Sequence, residues 1–377
     1  MFEKRLRQKL ALQKEKGLYR NPPVVEEGDS RTVTVDGRTL INFASNDYLA
    51  LGRSETLRKK AADAFLRYGT SSSSSRLVSG NASVIREAEK AYAAYFGYEE
   101  AIFFPSGYQA NLAILSTLFG PDESLFFDKH VHASTVKGMQ LGSAPFKGFR
   151  HNSMSHLEKR LKSAPGNSVV VTESLFSMDG DTPPLAALAE LKKKYGFLTV
   201  VDEAHAYGAL GTGGRGIARN VADVALGTFG KAMGLFGAFV LLPSLYREYL
   251  FNFASPLIYT TALPEAHAIT ALAVLSEVEQ ANDKRAHLAH LSRYLTQLLT
   301  DRGFTVCGEA HILAVQIGNE ERAHDLVTKL FEQGYFAFTA RFPTVPMGQA
   351  IIRLSLTAHH TEDDLQKFSD ALFNLGS

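Results

Sequence analysis

Between Ser168 and Val201 the chain spells strand, helix, strand, and this order constrains it more than any other feature. Ser168–Thr172 (SVVVT) is a short β-branched run, which reads as a buried strand. Pro183 and Pro184 open a predicted helix carrying Leu185, Leu188 and Leu191, with Gly196 placed to end it. Phe197–Val201 (FLTVV) is the next apolar run. Two strands joined by a helical crossover must run parallel, and a parallel sheet needs both faces covered. Val221–Leu226 and Ala238–Leu242 are predicted as further strands. Open sheets of this kind bind ligands beyond the carboxyl ends of their strands. Glu173, Asp202 and Lys231 fall where that rule wants polar groups.

The expected fold is therefore α/β, with a mainly parallel central sheet and a smaller α+β C-terminal domain. A helix and a hairpin (Thr32–Leu40, turning at Asp36-Gly37) are predicted for residues 1–40, a large domain for 41–280 and a small one for 281–377. A long helix over Glu265–Gln280 is followed by another over Arg285–Thr300. The last helix carries the capping box Thr361/Asp364, with Leu365, Phe368 and Leu372 on one face.

With 377 residues, a large core is within reach. Forty Lys and Arg balance 39 Asp and Glu, so no global charge argues for nucleic acid or a membrane surface as partner. The single cysteine, Cys307, excludes an internal disulfide and a cysteine-rich metal site, and reads as a small packed side chain. Its usage is compatible with a cytoplasmic location. The N-terminal MFEKRLRQKLALQKEKGLYR reads as a solvated amphipathic helix, not a secretory signal. No apolar run approaches the roughly 20 residues a membrane span requires.

Several motifs are decoys. Asp202-Glu203-Ala204-His205 spells the DEAH box of helicases, but the matching phosphate loop is absent: around Gly230-Lys231, Ala225 replaces the first glycine and Ala232 the hydroxyl residue. Gly211–Gly216 imitates a dinucleotide fingerprint but follows a loop, so it reads as a surface turn. His130-Val131-His132 lacks a nearby third ligand, and no metal is expected. The stronger signal is Asp202 and His205 after one apolar strand, then Thr228 and Lys231 after another. Gly227, Gly230 and Gly234 flank the lysine as if to let backbone approach a ligand. On spacing alone, a structural salt bridge would serve as well.

Asp202-x-x-His205 followed by Thr228-x-x-Lys231 resembles the core of fold-type I enzymes that use pyridoxal 5′-phosphate (PLP). Further segments resemble the α-oxoamine synthase family, in order along nearly the whole chain. They are Asn46-Asp47-Tyr48-Leu49, Ser75–Asn81, Ser106–Asn111, His132-Ala133-Ser134, Ser177–Asp181, Tyr259–Leu263 and Arg353–Thr357. The resemblance implies that Lys231 carries PLP as a Schiff base, Asp202 meets the pyridine nitrogen, His205 the ring oxygen, and His132 the ring face. It implies a phosphate site at Ser106, Gly107, Tyr108 and Thr228, completed by Thr260 or Thr261 of a second subunit, and hence a homodimer. Ser177 resembles a serine near the ring oxygen, with core packing as its alternative. Arg353 resembles the arginine that binds the amino-acid carboxylate, with Asn46 beside it. Ser75 is carried over as a substrate-side residue. Arg20 is a candidate for the acyl substrate by position alone, and an exposed helix-end arginine is its equal alternative.

Motif by motif, the resemblance is closest to the biotin-pathway member of the family. That implies condensation of an amino acid, L-alanine, with a pimeloyl thioester of coenzyme A or a carrier protein, with loss of CO2. Glycine C-acetyltransferase, 5-aminolevulinate synthase, serine palmitoyltransferase and long-chain aminoketone synthase are the alternatives within the family. An aminotransferase and a non-catalytic binding subunit are those outside it. The chain departs from the family pattern at Val136-Lys137-Gly138, in the Ser-rich Thr70–Ser75 and at Gly234–Gly237, and these departures bear on the acyl substrate.

Overall fold

The computed structural model describes residues 2–16, 18–164, 166–342 and 344–376. Its centre is a seven-stranded sheet whose strands, numbered in chain order, are β1 (Glu100–Phe104), β2 (Ser124–Asp128), β3 (Phe146–Phe149), β4 (Ser168–Glu173), β5 (Leu198–Asp202), β6 (Val224–Thr228) and β7 (Ala238–Leu242). Their spatial order is β1-β7-β6-β5-β4-β2-β3. All neighbours run parallel except β7, which is antiparallel to both β1 and β6. Every residue of β4 and β7 is buried, as strands covered on both faces must be. The crossover after β4 is a helix over Leu185–Tyr195, ended by Gly196 in the left-handed conformation (φ 67°).

Two predicted boundaries move. The strand expected from Val221 starts at Val224, because the Val221 and Ala222 amides turn back to the Ala218 carbonyl. Asp223 then accepts the Thr199 N–H at 2.7 Å and pairs with Lys192, which pins the strand's entry. The helix expected over Arg285–Thr300 spans Asn282–Asp301, and Arg285 is a buried clasp whose guanidinium donates to the carbonyls of Gly208 and Val278.

The glycines around Lys231 serve packing more than ligand approach. A Cβ on Gly227 would lie 2.2 Å from the Phe239 ring. One on Gly234 (φ 61°) would lie 2.3 Å from the Gly52 nitrogen. The Gly211–Gly216 turn wraps a carboxylate: the Glu203 oxygens accept the N–H groups of Ile217 and Ala218, and a Cβ on Gly216 would strike that carboxylate at 2.5 Å.

The C-terminal part holds a four-stranded sheet in the order Val306–Cys307, Ile312–Gly318, Ala350–Ser355, Phe338–Ala340. The N-terminal hairpin forms at Asp36-Gly37, and its second strand, Arg38–Asn42, runs parallel to Tyr335–Phe336. Arg31 holds Asp364 through two bonds of 2.8 Å, while Thr361 and Asp364 close the expected capping box. The N-terminal segment is thereby joined to the C-terminal one. The Phe2–Glu15 helix buries no residue. Cys307 is half-buried and unpaired. Among the described residues no helix is long and apolar enough to cross a membrane.

Replacing Gly227 by alanine drives a methyl group into the Phe239 ring. Overpacking of this kind costs about 1–3 kcal/mol, so chemical denaturation of Gly227→Ala is expected to show a lower midpoint with an unchanged slope.

Candidate active site

The parallel strands end together. β4 closes on Glu173 and β5 on Asp202, which are paired across the ladder; β6 closes on Thr228, and Lys231 follows three residues on. Two carboxyl groups side by side cannot both stay charged at low cost. Burial, reinforced by Asp202, pushes Glu173 well above the usual carboxylate range; Lys231 and the His132 N–H, which Glu173 accepts at 2.5 Å, oppose the shift. Glu173 is therefore the neutral member.

Asp202 is held at both oxygens. One accepts the Ala204 N–H at 2.9 Å and the other the Asn111 amide at 3.0 Å. Asn111 also donates to the Ser134 hydroxyl (3.0 Å), which lies 2.7 Å from His132 Nδ1. Ser134 accepts from Asn111, so its own proton points at Nδ1, and the backbone N–H of Ser134 approaches the same atom at 3.3 Å. With Nδ1 an acceptor, the His132 proton resides on Nε2. His132 keeps solvent-accessible surface. Desolvation by its surroundings still lowers its pKa, with Asp202 opposing and Lys231 assisting.

Burial lowers the Lys231 amine to about 8; Asp202 and Glu173 counteract, and Arg353 adds to the depression. No described residue accepts a hydrogen bond from it. A desolvated, unpartnered amine of this kind is chemically available as a nucleophile or base.

A second line of groups runs from His205 to Arg353. The Tyr48 hydroxyl lies 2.6 Å from His205 Nδ1 and 3.1 Å from Asn46 Oδ1. Asn46 Oδ1 can only accept, so the hydroxyl proton goes to it, and His205 donates from Nδ1 to the Tyr48 oxygen. Burial, aided by Lys231 and Arg353, drives His205 well below its ordinary pKa, so the ring is neutral. Arg353 is 6% exposed. It donates from Nε to the Ser177 carbonyl (2.5 Å), from Nη1 to Ser355 (2.6 Å), and from Nη2 to Asn46 (3.4 Å). No acidic residue among those described lies in ion-pair range of it. A buried cation without a counter-ion is costly, and an anionic ligand would remove the cost.

Ser106 caps the Gly107–Thr117 helix by accepting the Gln109 N–H at 3.2 Å, leaving the Gly107 and Tyr108 N–H groups available to an anion. A Cβ on Gly107 would sit 4.0 Å from the Thr228 Cβ, so the helix start and the end of β6 are neighbours. The Thr228 hydroxyl presently donates to the Gly237 carbonyl (3.0 Å) and accepts the Gly230 N–H (3.2 Å). The set fits PLP: a free amine, a held carboxylate, a neutral imidazole and an anion cradle.

Not every expected residue joins this group. Ser177 meets Arg353 through its backbone carbonyl. Ser75 and Thr261 form a β-bridge, and Thr261 is exposed, with Thr260 half-buried beside it. Arg20 is exposed and makes no ion pair with a described residue. His130 turns away from His132: it bonds Asp179 at 2.7 Å and stacks on His151 at 3.9 Å. His130, His151 and Asp179 could group around an ion, yet both His151 nitrogens are engaged by carboxylates, Asp128 and Asp181, each at 2.9 Å. Sequence reasoning placed Glu173 at the ligand end of the sheet without giving it a role, and left Tyr48, Asn111, Ser134 and His311 out of the site. The first three lie inside quoted motifs and Glu173 ends a strand; His311, buried and 3.9 Å from the Tyr48 ring, has no sequence signal.

The aminotransferase class I and II family model matches residues 38–372. The 8-amino-7-oxononanoate synthase of Chlorobaculum parvum is 38% identical over 373 residues, 95% of each chain. A serine palmitoyltransferase from Sphingomonas wittichii superposes with a TM-score of 0.92 at 32% identity, over 100% of this chain and 97% of that one. An 8-amino-7-oxononanoate synthase from Francisella tularensis gives 0.79 at 33% identity, over 89% and 97%.

His151 offers a pH test. Burial opposes its charge, but Asp128 and Asp181 raise its pKa to about 10. The stabilisation is fully present below the unfolded value of about 6.5 and is lost as pH rises toward 10. The drop in melting temperature caused by His151→Gln is thus expected to be largest at pH 6 and to shrink toward pH 10.

Proposed function

Because the chain belongs to the aminotransferase class I and II family, and within it to the α-oxoamine synthases, we propose that it condenses L-alanine with a pimeloyl thioester to give 8-amino-7-oxononanoate, CO2 and a free thiol. It is a PLP-dependent acyltransferase. The observation that carries the proposal is the pairing of an unpartnered Lys231 amine with a buried Arg353 that lacks a counter-ion. One group suits an aldehyde or an α-proton, the other an amino-acid carboxylate.

PLP, when bound, supplies an electron sink for a carbanion at the amino acid's α-carbon. Asp202, steadied by Asn111, offers its carboxylate to the protonated ring nitrogen. His205, held through Nδ1 by Tyr48, would face the ring oxygen, and His132 would cover the ring face. Gly107 and Tyr108 donate backbone N–H groups to the phosphate, Ser106 fixes their direction, and Thr228 adds its hydroxyl by releasing Gly237. Arg353 grips the substrate carboxylate with Asn46 and Ser177 holding the guanidinium. Lys231 Nζ takes the α-proton and later returns one.

The same reading makes the enzyme a cytoplasmic homodimer. Tyr259 is 81% exposed, and Leu66, Leu77 and Val78 are exposed apolar side chains, a surface suited to a second copy. Thr260 or Thr261 of that copy would reach the phosphate, with Ser75 alongside. Arg20 remains the proposed contact for the acyl chain.

The decisive assay incubates the enzyme with a panel of amino acids and acyl thioesters and measures thiol and CO2. Alanine with the pimeloyl thioester is expected to give both in equal amounts; release only with another pair would replace the substrates named here. Lys231→Ala is expected to abolish turnover and the yellow absorbance of the bound cofactor. Arg353→Lys loses the two parallel bonds a guanidinium makes to a carboxylate and is expected to raise the KM for alanine by about tenfold or more.

A further inference from the structure

From Lys129 to Leu157 the chain contains no acidic residue, and over Lys129–Lys162 seven Lys and Arg face one acid, Glu158. The whole chain, by contrast, is balanced at 40 to 39. Within the group Glu158 reaches only Lys162, at 3.5 Å, and it is held otherwise by Lys194 at 2.7 Å and Tyr195 at 2.8 Å. Elsewhere, three exposed helix lysines meet an acid one turn earlier: Lys59 with Glu55, Lys329 with Asp325, and Lys367 with Asp363. Lys129, Lys147, Arg150, Lys159 and Arg160 have no such partner among the described residues.

The fold gathers these cations on one face. Lys129 directly follows β2 and Arg150 directly follows β3, so both stand on the carboxyl edge of the sheet that carries Glu173 and Asp202. The Lys129 stem lies along Gly148, where a Cβ would be 3.0 Å from its Cγ. His156, on the Met154–Lys162 helix, accepts the Arg150 N–H at 3.1 Å and ties that helix to the same edge. The field converges there: partial burial first, then Arg160, Arg150, Lys129 and Lys159, hold His156 below its ordinary pKa. His130 and His132 follow Lys129 directly, so the face borders the reacting groups. Lys147 alone could be read as a guard on the open edge strand β3. The other four cations lie beyond any strand.

We propose that this face docks an acidic carrier protein, which presents the acyl thioester on a flexible arm at the mouth beside His132. The proposal rests on the acyl-transfer reading above. A nucleotide handle would satisfy a compact cluster of cations, whereas these are spread over two strand ends and a helix, the footprint of an acidic protein surface. Complementary charge of this kind acts on association rate and is screened by salt.

The test compares holoenzyme with the triple variant Lys129→Glu/Arg150→Glu/Lys159→Glu on three pimeloyl thioesters: of acyl-carrier protein, of coenzyme A and of N-acetylcysteamine, which has neither protein nor phosphate. The variant should retain the yellow cofactor absorbance and its activity on the N-acetylcysteamine thioester. Its kcat/KM on the carrier-protein thioester should fall by about tenfold or more, chiefly through KM, and the wild-type rate on that substrate should fall with added salt. A loss confined to the coenzyme A thioester would make the face a nucleotide-phosphate site and overturn the proposal; so would an unchanged rate on the carrier, or equal losses on all three. Binding of labelled acyl-carrier protein to holoenzyme, read by fluorescence anisotropy, separates docking from chemistry. If no thioester is turned over but the carrier binds wild type and not the variant, the reaction assignment fails while docking stands. If the carrier binds neither or both alike, docking fails.

Discussion

One rung of the central ladder places Glu173 beside Asp202, and both carboxyl groups cannot be ionised there. The rest of the site follows from how that conflict is resolved. Glu173 is buried, faces the backbone N–H of His132 and gives up its charge. Asp202 keeps two donors, Ala204 and Asn111. The negative charge is thus assigned to one position by the sheet register. Lys231, three residues past the end of the next strand over, is left desolvated but opposed by Asp202, which limits how far its pKa drops.

The two hydrogen-bonded lines leaving this rung come from different parts of the fold. Asn111, Ser134 and His132 belong to helices packed on the sheet; Asn46, Tyr48 and Arg353 lie toward the C-terminal sheet. A ligand with a pyridinium at Asp202 and a carboxylate at Arg353 would be held by both. The proposed substrate would account for a buried arginine that no carboxylate among the described residues neutralises.

Much of this could be read from residue order. The strand–helix–strand pattern led to a parallel sheet, and a strand end marks Glu173, Asp202 and Thr228 as edge residues without any coordinates. What could not be read were relations between distant segments. Asn111 links Asp202 to Ser134 across separate helices, and His311 sits under Tyr48 from a strand entry with no pattern of its own. The glycines near Lys231 illustrate the same limit. Their spacing suggested room for a ligand, yet the space beside Gly227 is filled by Phe239 from the neighbouring antiparallel strand. The early start given to β6 failed because Val221 and Ala222 are apolar residues in a turn, where hydropathy imitates a strand.

The parallel pairing of Arg38–Asn42 with Tyr335–Phe336, locked by Arg31 on Asp364, has a consequence for how such a chain is made. During synthesis the hairpin must wait, with its inner edge uncovered, until the chain has been translated through Phe336. The cofactor half can assemble meanwhile, but Arg353 arrives only with the final strands. A nascent or C-terminally clipped chain would therefore own a reactive lysine before it owned the means to select a substrate for it. Clasping these distant segments makes translation through Asp364 a precondition of the assembled site.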